Sequence, residues 1–511
     1  MTVSKSERSM CQTENRASAD ELKSIVRELL SKVDRHRERG EGVALGNKLK
    51  TLLLIFPGNT KVIKELLDVY LNKNSLEKSL FYYGQLARAG LGSSVDLFRV
   101  IKLLLRTRTV PEVVEFFEGM IRLNPFNTSL RLITAEMTMV CAPLAKYRKA
   151  LASILILDPT NAAAAAQLAS CLTLANHLDW RSQIVENWRK RALQAAVNDR
   201  FVRYSLSYGA LRHSLLDTQA WSFFIAESAN IMGNPRQEYP RLPRWRGEIH
   251  DGVRLLIWAD DEVGIGDIIM HSGCIRYLQE RGVRGAVRVP KRLEALFRAS
   301  FPEWRVFTEI GGDVSDLNFY VNALELHCFV PAQRQMRYLW SDHERRAKFR
   351  DRYLGQSRKR LVGLSWRGGS GPLDQFARTI PIREIDTLLE TEEAVFVSLQ
   401  HHHEIESRAL SKRHRNFVHD EKIDPLGDID AFAAQVAAMD VVISVVNTTA
   451  NLSGALGVRT LCLIPRTAQW WWGVEGSSIP WYPSMRLIRQ TTPGQWGDEM
   501  REVKDVLRRL N

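Results

Sequence analysis

The chain has 511 residues, of which 45% are hydrophobic and 25% charged, with a formal net charge of +13. That length exceeds one ordinary core and implies about two to four domains. No run approaches the ~18 uninterrupted apolar residues of a membrane span, so no transmembrane segment is expected. Basic residues are spread along the chain without a block interleaved with aromatics, which sets nucleic acid aside and leaves an anionic small ligand open.

In chain order, residues 1–24 are polar, lack the apolar core of a secretory signal and are expected to form a disordered tail. The six cysteines, Cys11, Cys141, Cys171, Cys274, Cys328 and Cys462, are scattered without metal-ligand spacing. They suit free thiols in a reducing compartment, and the expected localisation is cytoplasmic.

Residues 25–232 repeat. Pro57, Pro125 and Pro159 stand in three similar corners, Phe56-Pro-Gly-Asn59, Asn124-Pro-Phe-Asn127 and Asp158-Pro-Thr-Asn161, separated by 68 and 34 residues. A period of 34 results, with the missing corner at Ala89-Gly-Leu-Gly-Ser93. Paired amphipathic segments such as 62–71 with 76–89, and 162–174 with 181–195, carry apolar residues at helical spacing between the corners. Proline ends one helix and admits the next. The spacing resembles tetratricopeptide repeats, a resemblance that implies a helical solenoid with a groove for a peptide or protein. A structural solenoid or a dimer surface is equally compatible with the pattern.

Near residue 234 the pattern changes. Pro235, Pro240 and Pro243 punctuate an arginine-bearing linker, 233–250, with Arg236, Arg241, Arg244 and Arg246. Strands and helices then alternate. Strands are predicted at 253–259, 286–289 and 317–321, then at 361–366, 394–400, 417–419, 441–446 and 460–464. Helices are predicted at 267–281, 293–300, 342–353, 382–390, 429–438 and 448–456, with a C-terminal helix in 496–511. Short, nearly all-apolar strands fit parallel sheets covered on both faces. The fold class expected is therefore α + α/β: the helical repeats, then two Rossmann-like domains at 251–355 and 356–495, with ligands at the carboxyl ends of the strands.

Four stretches at strand ends carry the chemistry. Asp260-Asp-Glu-Val-Gly264-Ile-Gly266-Asp267 lacks the third glycine of a dinucleotide fingerprint and the lysine of a P-loop, so neither a dehydrogenase nor an ATPase is indicated. Asp267 could cap the helix that follows or project into the cleft as a general base. Asn447-Thr448-Thr449 begins a small-residue helix after an apolar strand, and doubled small polar groups there favour an anion site over simple capping. Ser365-Trp366-Arg367-Gly-Gly-Ser-Gly371, followed by Arg378, offers backbone and guanidinium donors to phosphates, or is a surface loop. Gln400 ends the next strand and is a candidate to read a base edge. Adjacent His401, His402 and His403 point different ways and have no matching ligands elsewhere, so no metal site is expected. Trp470-Trp-Trp472 and Pro480-Trp481-Tyr-Pro483 form an aromatic loop, with Trp366 and Trp481 as candidates to face the cleft, or else packing between domains.

At the segments 258–276, 362–400, 442–465 and 480–490 the chain resembles two-Rossmann-domain (GT-B) glycosyltransferases that carry N-terminal tetratricopeptide repeats. It is distantly similar to heptosyltransferases and O-linked N-acetylglucosamine transferase. The resemblance implies a metal-independent, inverting transferase without a cofactor, using a nucleotide-sugar donor and a protein or saccharide acceptor that the repeat groove helps to hold. It makes Asp267 the base and Gly264 and Gly266 the acceptor loop. Asn447, Thr448, Thr449, Arg367, Arg378 and Gln400 then become the donor side. Two departures accompany it: the family's Asp-Thr helix start reads Asn447-Thr448, and a histidine common just inside that helix is Asn451. They favour an alternative in which the solenoid binds partners and the α/β half is a catalytically degenerate scaffold.

Overall fold

The computed structural model describes residues 31–88, 94–176, 181–196, 239–259, 263–331, 337–369 and 371–509, with a few isolated positions besides. The N-terminal tail with Cys11, the turn 89–93, Pro235 and Arg236, Asp260, Glu262 and Ser370 lie outside the described residues. Two compact units result, Met1–Thr134 and Ala135–Asn511.

The first unit is helical. Its helices Gly42–Ile55, Thr60–Asn72, Leu76–Arg88 and Ser94–Leu104 pack in succession, and Val110–Leu123 follows. Thr60–Asn72 buries Val62, Ile63, Leu66, Leu67, Tyr70 and Leu71, the face that its period specifies. The corner motif has a local cause. Asn59 Oδ1 accepts from Val62 N at 3.2 Å and Asn127 Oδ1 from Leu130 N at 2.9 Å, so the asparagine two residues after each proline caps the next helix. Buried Asp96 is held by Lys64, and Arg99 by Asp68, which ties Thr60–Asn72 to Ser94–Leu104.

The second unit contains the rest of the repeat and both sheets. Asn161 repeats the cap, accepting from Ala164 N at 3.0 Å at the start of Ala162–Asn176. That helix packs on Leu144–Leu157 and Gln183–Ala195. Cys141, Cys171, Cys274, Cys328 and Cys462 are free thiols. Among the described residues no helix is long and apolar enough to cross a membrane.

Both sheets are wholly parallel. The first has strands β1 (Arg254–Trp258), β2 (Arg284–Arg288), β3 (Arg305–Phe307) and β4 (Phe319–Asn322) in the order β3-β2-β1-β4. The second has β5 (Arg360–Ser365), β6 (Ala394–Ser398), β7 (Phe417–Val418), β8 (Val441–Val445), β9 (Thr460–Ile464) and β10 (Met485–Arg489) in the order β10-β9-β8-β5-β6-β7. Counting from β5, that is the doubly wound order 3-2-1-4-5-6 read backwards, and it reverses direction between β5 and β8. In the first sheet the reversal lies between β1 and β4. Crevices at such reversals open at the carboxyl ends of the strands. The residues there include Ala259, Gly264, Gly266 and Asp267 in one domain, and Trp366 to Gly369 with Asn447 and Thr448 in the other.

The expected alternation holds, with additions that include the helices Leu326–Phe329 and Pro372–Ala377 and three elements whose absence from the sequence reading has a physical reason. Strand β3 has three residues and a solvent-facing Arg305, too little apolar signal to be read from sequence. Strand β10 interrupts its apolar residues with Arg486 and Arg489 at the sheet edge. Helix Glu404–Arg413 is charge-rich and follows directly on the histidine turn. One apolar core runs through both α/β domains, joining Ile268 and Ile269 to Ala450, Leu452, Ala455 and Tyr482.

Candidate active-site cleft

Two helix starts meet at the site. Helix Ile265–Glu280 leaves β1 with Gly264 as its N-cap, and no side chain caps it. Helix Thr448–Ala455 leaves β8 with Asn447 as its N-cap. The two helices pack directly on each other. Gly266 makes that possible, because a Cβ there would lie 2.6 Å from Asn451 Nδ2 and 3.5 Å from the Thr448 Cα. Neither Gly264 nor Gly266 has a positive φ. A side chain at Gly266 would therefore press on the Asn451 amide of the second helix, and no tight turn demands glycine there.

A cavity of about 430 Å³ opens between these helix starts, within the size range of small-molecule sites. Gly264, Gly266 and Asp267 line it from the first domain. Gly369, Asp374, Arg378, His401, His402, Asn447, Thr448, Asn451 and Gln469 line it from the second, with Trp471 and Trp472.

Asp267 is not the N-cap. It sits in the first turn, its own N–H bonded to Gly264 O at 2.9 Å, and among the described residues no donor reaches its carboxylate. Burial pushes it up to about 6, partly offset by the nearby positive charge of Arg378. A desolvated carboxylate with a pKa near neutrality, aimed at a cavity and without a structural partner, has the properties of a general base.

On the opposite side the polar groups are largely committed to structure. Asn447 Oδ1 accepts from Ala450 N and Ser444 Oγ, both at 3.1 Å, while its Nδ2 donates to Ser365 Oγ at 2.8 Å and Arg367 O at 3.0 Å. That pattern explains asparagine in place of aspartate: a carboxylate could cap the helix but could not donate to the Arg367 carbonyl. Asn451 Oδ1 accepts from the Tyr482 hydroxyl at 2.9 Å. Thr449 is buried and its hydroxyl donates to Leu399 O at 3.3 Å, away from the cavity. Thr448 lines the cavity, at a helix N-terminus whose first N–H groups have no intrahelical acceptor.

The expected donor groups separate accordingly. Arg378 reaches the cavity. Its Nη2 donates to Asp374 Oδ1 at 3.0 Å, and Gln469, in the amide orientation that satisfies both groups, accepts from its Nη1 at 2.9 Å. Arg367 is instead turned to Glu406, which accepts from its Nε at 2.9 Å and its Nη2 at 2.5 Å, and it does not line the cavity. Gln400 is buried; its Oε1 accepts from Trp366 N at 2.9 Å and Arg367 N at 2.8 Å, pinning the end of β5 to β6.

The aromatic expectation is corrected. Trp366 is fully buried in the core of the second domain, with Nε1 donating to Glu406 at 3.2 Å. Trp481 is also buried, its ring 4.4 Å from that of His327 and its Nε1 donating to Trp471 O. Both follow or interrupt apolar segments whose residues fill the interior, and Trp471 and Trp472 line the cavity in their place.

Sequence reasoning passed over Asp374 and Gln469 as site residues, and it weighed His401 and His402 only as metal ligands. The signal appears only in the backbone of the turn after β6. His402 and His403 have φ of 48° and 93°, left-handed backbone that non-glycine residues rarely adopt. Such backbone is over-represented at functional sites. His401 is held below its ordinary value, chiefly by burial.

No family model matches the chain. It is similar to Protein FlbA of Caulobacter vibrioides, 29% identical over 318 residues, which make up 57% of this chain and 52% of that one. The chain thus spans about half the length of the curated relative it matches. Among solved structures it is similar to a glycosyl transferase family 9 protein of Veillonella parvula, with 9% identity, a TM-score of 0.38, and coverage of 51% of this chain and 99% of that one. It is similar to the E. coli ADP-heptose heptosyltransferase II, with 11% identity, a TM-score of 0.32, and coverage of 50% and 100%. It is also similar to a mutant of the Thermobaculum terrenum O-GlcNAc transferase, with 11% identity, a TM-score of 0.25, and coverage of 95% and 92%.

Proposed function

We propose that the chain is a glycosyltransferase that moves a sugar from a nucleotide-sugar donor to a hydroxyl of a protein or saccharide acceptor. The observation that carries this reading is the facing pair in one cavity: Asp267, raised to about 6 and without a hydrogen-bond donor among the described residues, from the first domain, and Arg378 with the Thr448 helix start from the second. In the reaction, Asp267 takes the proton of the acceptor hydroxyl as its oxygen attacks the anomeric carbon. The bond from that carbon to the donor diphosphate breaks, and the electron pair leaves with the phosphate oxygen. Arg378 and the N–H groups at Thr448 and Thr449 stabilise the developing charge. Attack opposite the departing diphosphate inverts the anomeric centre, and this route uses no metal. Trp471 offers an aromatic face for a sugar or base. The groove of the helical repeats binds the acceptor polypeptide.

The commitment of Asn447, Thr449, Arg367 and Gln400 to internal hydrogen bonds supports the second reading, a partner-binding repeat protein whose α/β half no longer turns over. Calorimetric titration of the full chain with UDP, GDP and ADP separates the two. The transferase reading expects one nucleotide to bind in the micromolar range and Thr448→Val with Arg378→Gln to lose it. Absence of binding by all three nucleotides transfers the assignment to the scaffold.

A further inference from the structure

Within the cleft, one contact places an anion of the protein itself where the proposed donor needs a cation. Arg378 is nearly enclosed, its side chain 13% exposed, while its partner Asp374 is 51% exposed. The guanidinium is therefore the fixed member, anchored on its other side by Gln469, and the carboxylate is the solvent-side member.

The position of Asp374 is built into the fold. It lies on the six-residue helix Pro372–Ala377, four residues before Arg378. That helix presses on Gly369, which has a φ of 90°. A Cβ at Gly369 would stand 2.5 Å from the Cβ of Asp374 and 2.8 Å from its carbonyl carbon. Only glycine admits this approach. Among the described residues that line the cavity, Asp267 and Asp374 are the carboxylates, Arg378 is the arginine, and there is no lysine. A diphosphate thus enters a cavity whose one guanidinium already carries an anion.

We infer that Asp374 is an internal competitor for the phosphate site, its carboxylate holding the Arg378 guanidinium that a donor diphosphate must take over. This rests on the donor reading above. The exchange favours ligands with several anionic oxygens in a row, which can engage Arg378 and the Thr448 helix start together. Ligands bearing a single phosphate group reach only one of the two and gain too little to displace the carboxylate. Asp374 thereby sets selectivity for a pyrophosphate-bearing ligand.

The test is calorimetric titration of the full chain with UDP, GDP, ADP, their monophosphates UMP, GMP and AMP, and inorganic pyrophosphate, on wild type, Asp374→Asn and Arg378→Gln. Asp374→Asn is expected to tighten binding of the best nucleotide about three- to tenfold, the scale of a part-exposed ion pair. It should tighten AMP, GMP or UMP by at least as much, narrowing the preference for the diphosphate. Arg378→Gln is expected to weaken all of them. The substitution removes an exposed carboxylate, and an unchanged urea midpoint would show the fold intact. Binding seen only in Asp374→Asn also supports the competitor role. Unchanged or weaker binding in Asp374→Asn, with wild type binding normally, overturns the inference alone and makes Asp374 a group that orients Arg378. Failure of every probe with both proteins overturns the donor reading and the inference with it.

Discussion

The cleft is formed by two helix starts that are alike in sequence terms and opposite in structure. Each follows a parallel strand, and each carries small or polar residues in its first turn, Gly266 and Asp267 in one and Thr448, Thr449 and Ala450 in the other. At Thr448–Ala455 the cap residue Asn447 makes four hydrogen bonds and locks β5 to β8. At Ile265–Glu280 the cap position is Gly264, which has no side chain to give, and the carboxylate of Asp267 in the first turn meets no donor among the described residues. A polar group whose donors and acceptors are all committed within the fold, as those of Asn447 are, contributes stability and has little left to offer a substrate. One that is desolvated and unsatisfied costs stability and is available to a substrate.

The sharpest way to break this contrast is to neutralise the unsatisfied side. Asp267→Asn should lower transferase turnover, read as nucleotide release from the donor in the presence of acceptor, by about 10²- to 10⁴-fold. Nucleotide affinity should change little. In wild type the rate should rise as pH increases through about 6, where Asp267 becomes a carboxylate; Arg378 opposes its protonation, and His401 and His402 line the same cavity. A variant retaining full turnover would remove Asp267 from the reaction.

Neutralising the satisfied side should act on the fold. Asn447→Ala loses a helix cap and leaves partners at Ser365 and Arg367 unmatched, an expected loss of about 2 to 4 kcal/mol in urea unfolding. Gly266→Ala should cost about 1 to 3 kcal/mol by displacing the Asn451 amide from its bond with the Tyr482 hydroxyl. A wild-type midpoint for Gly266→Ala would show that the Asn451 amide gives way without cost.

The same Asp267→Asn variant should be more stable than wild type at pH 7. The folded pKa of Asp267 is raised to about 6 from 3.8, so folding binds protons between those values and the ionised group destabilises the fold above about 6. Removing the charge should restore about 2 to 3 kcal/mol at pH 7, and the gain should vanish as pH falls below 3.8. Smallest of all are the repeat caps. Asn59→Ala, Asn127→Ala and Asn161→Ala should each cost about 1 kcal/mol, measured by the same unfolding curves.

How much of this was legible in advance depended on range. The corner asparagines were visible because their spacing, 68 and 34 residues, matches the helix starts that they cap through bonds three residues away. The buried strands were visible because parallel strands covered on both faces must be apolar throughout. Strands β3 and β10 were hidden for the converse reason, since short or edge strands admit arginine on an exposed face. Asp267, Thr448 and Arg378 were named as candidates from residue type at strand ends, and they do line one cavity.

The sequence by itself determined local order: caps, repeats, strand ends and a list of polar residues placed near a ligand. The tertiary structure alone decided which of them are available. Arg367 and Arg378 are eleven residues apart, on either side of the short helix Pro372–Ala377, yet Glu406 draws the first away while Gln469 holds the second in the cleft. Trp366 and Trp471 are both aromatic residues near strand ends, yet one fills the core and the other lines the cavity. Hydrogen-bond partners come from segments distant in the chain, and whether a polar group is satisfied depends on all of them at once.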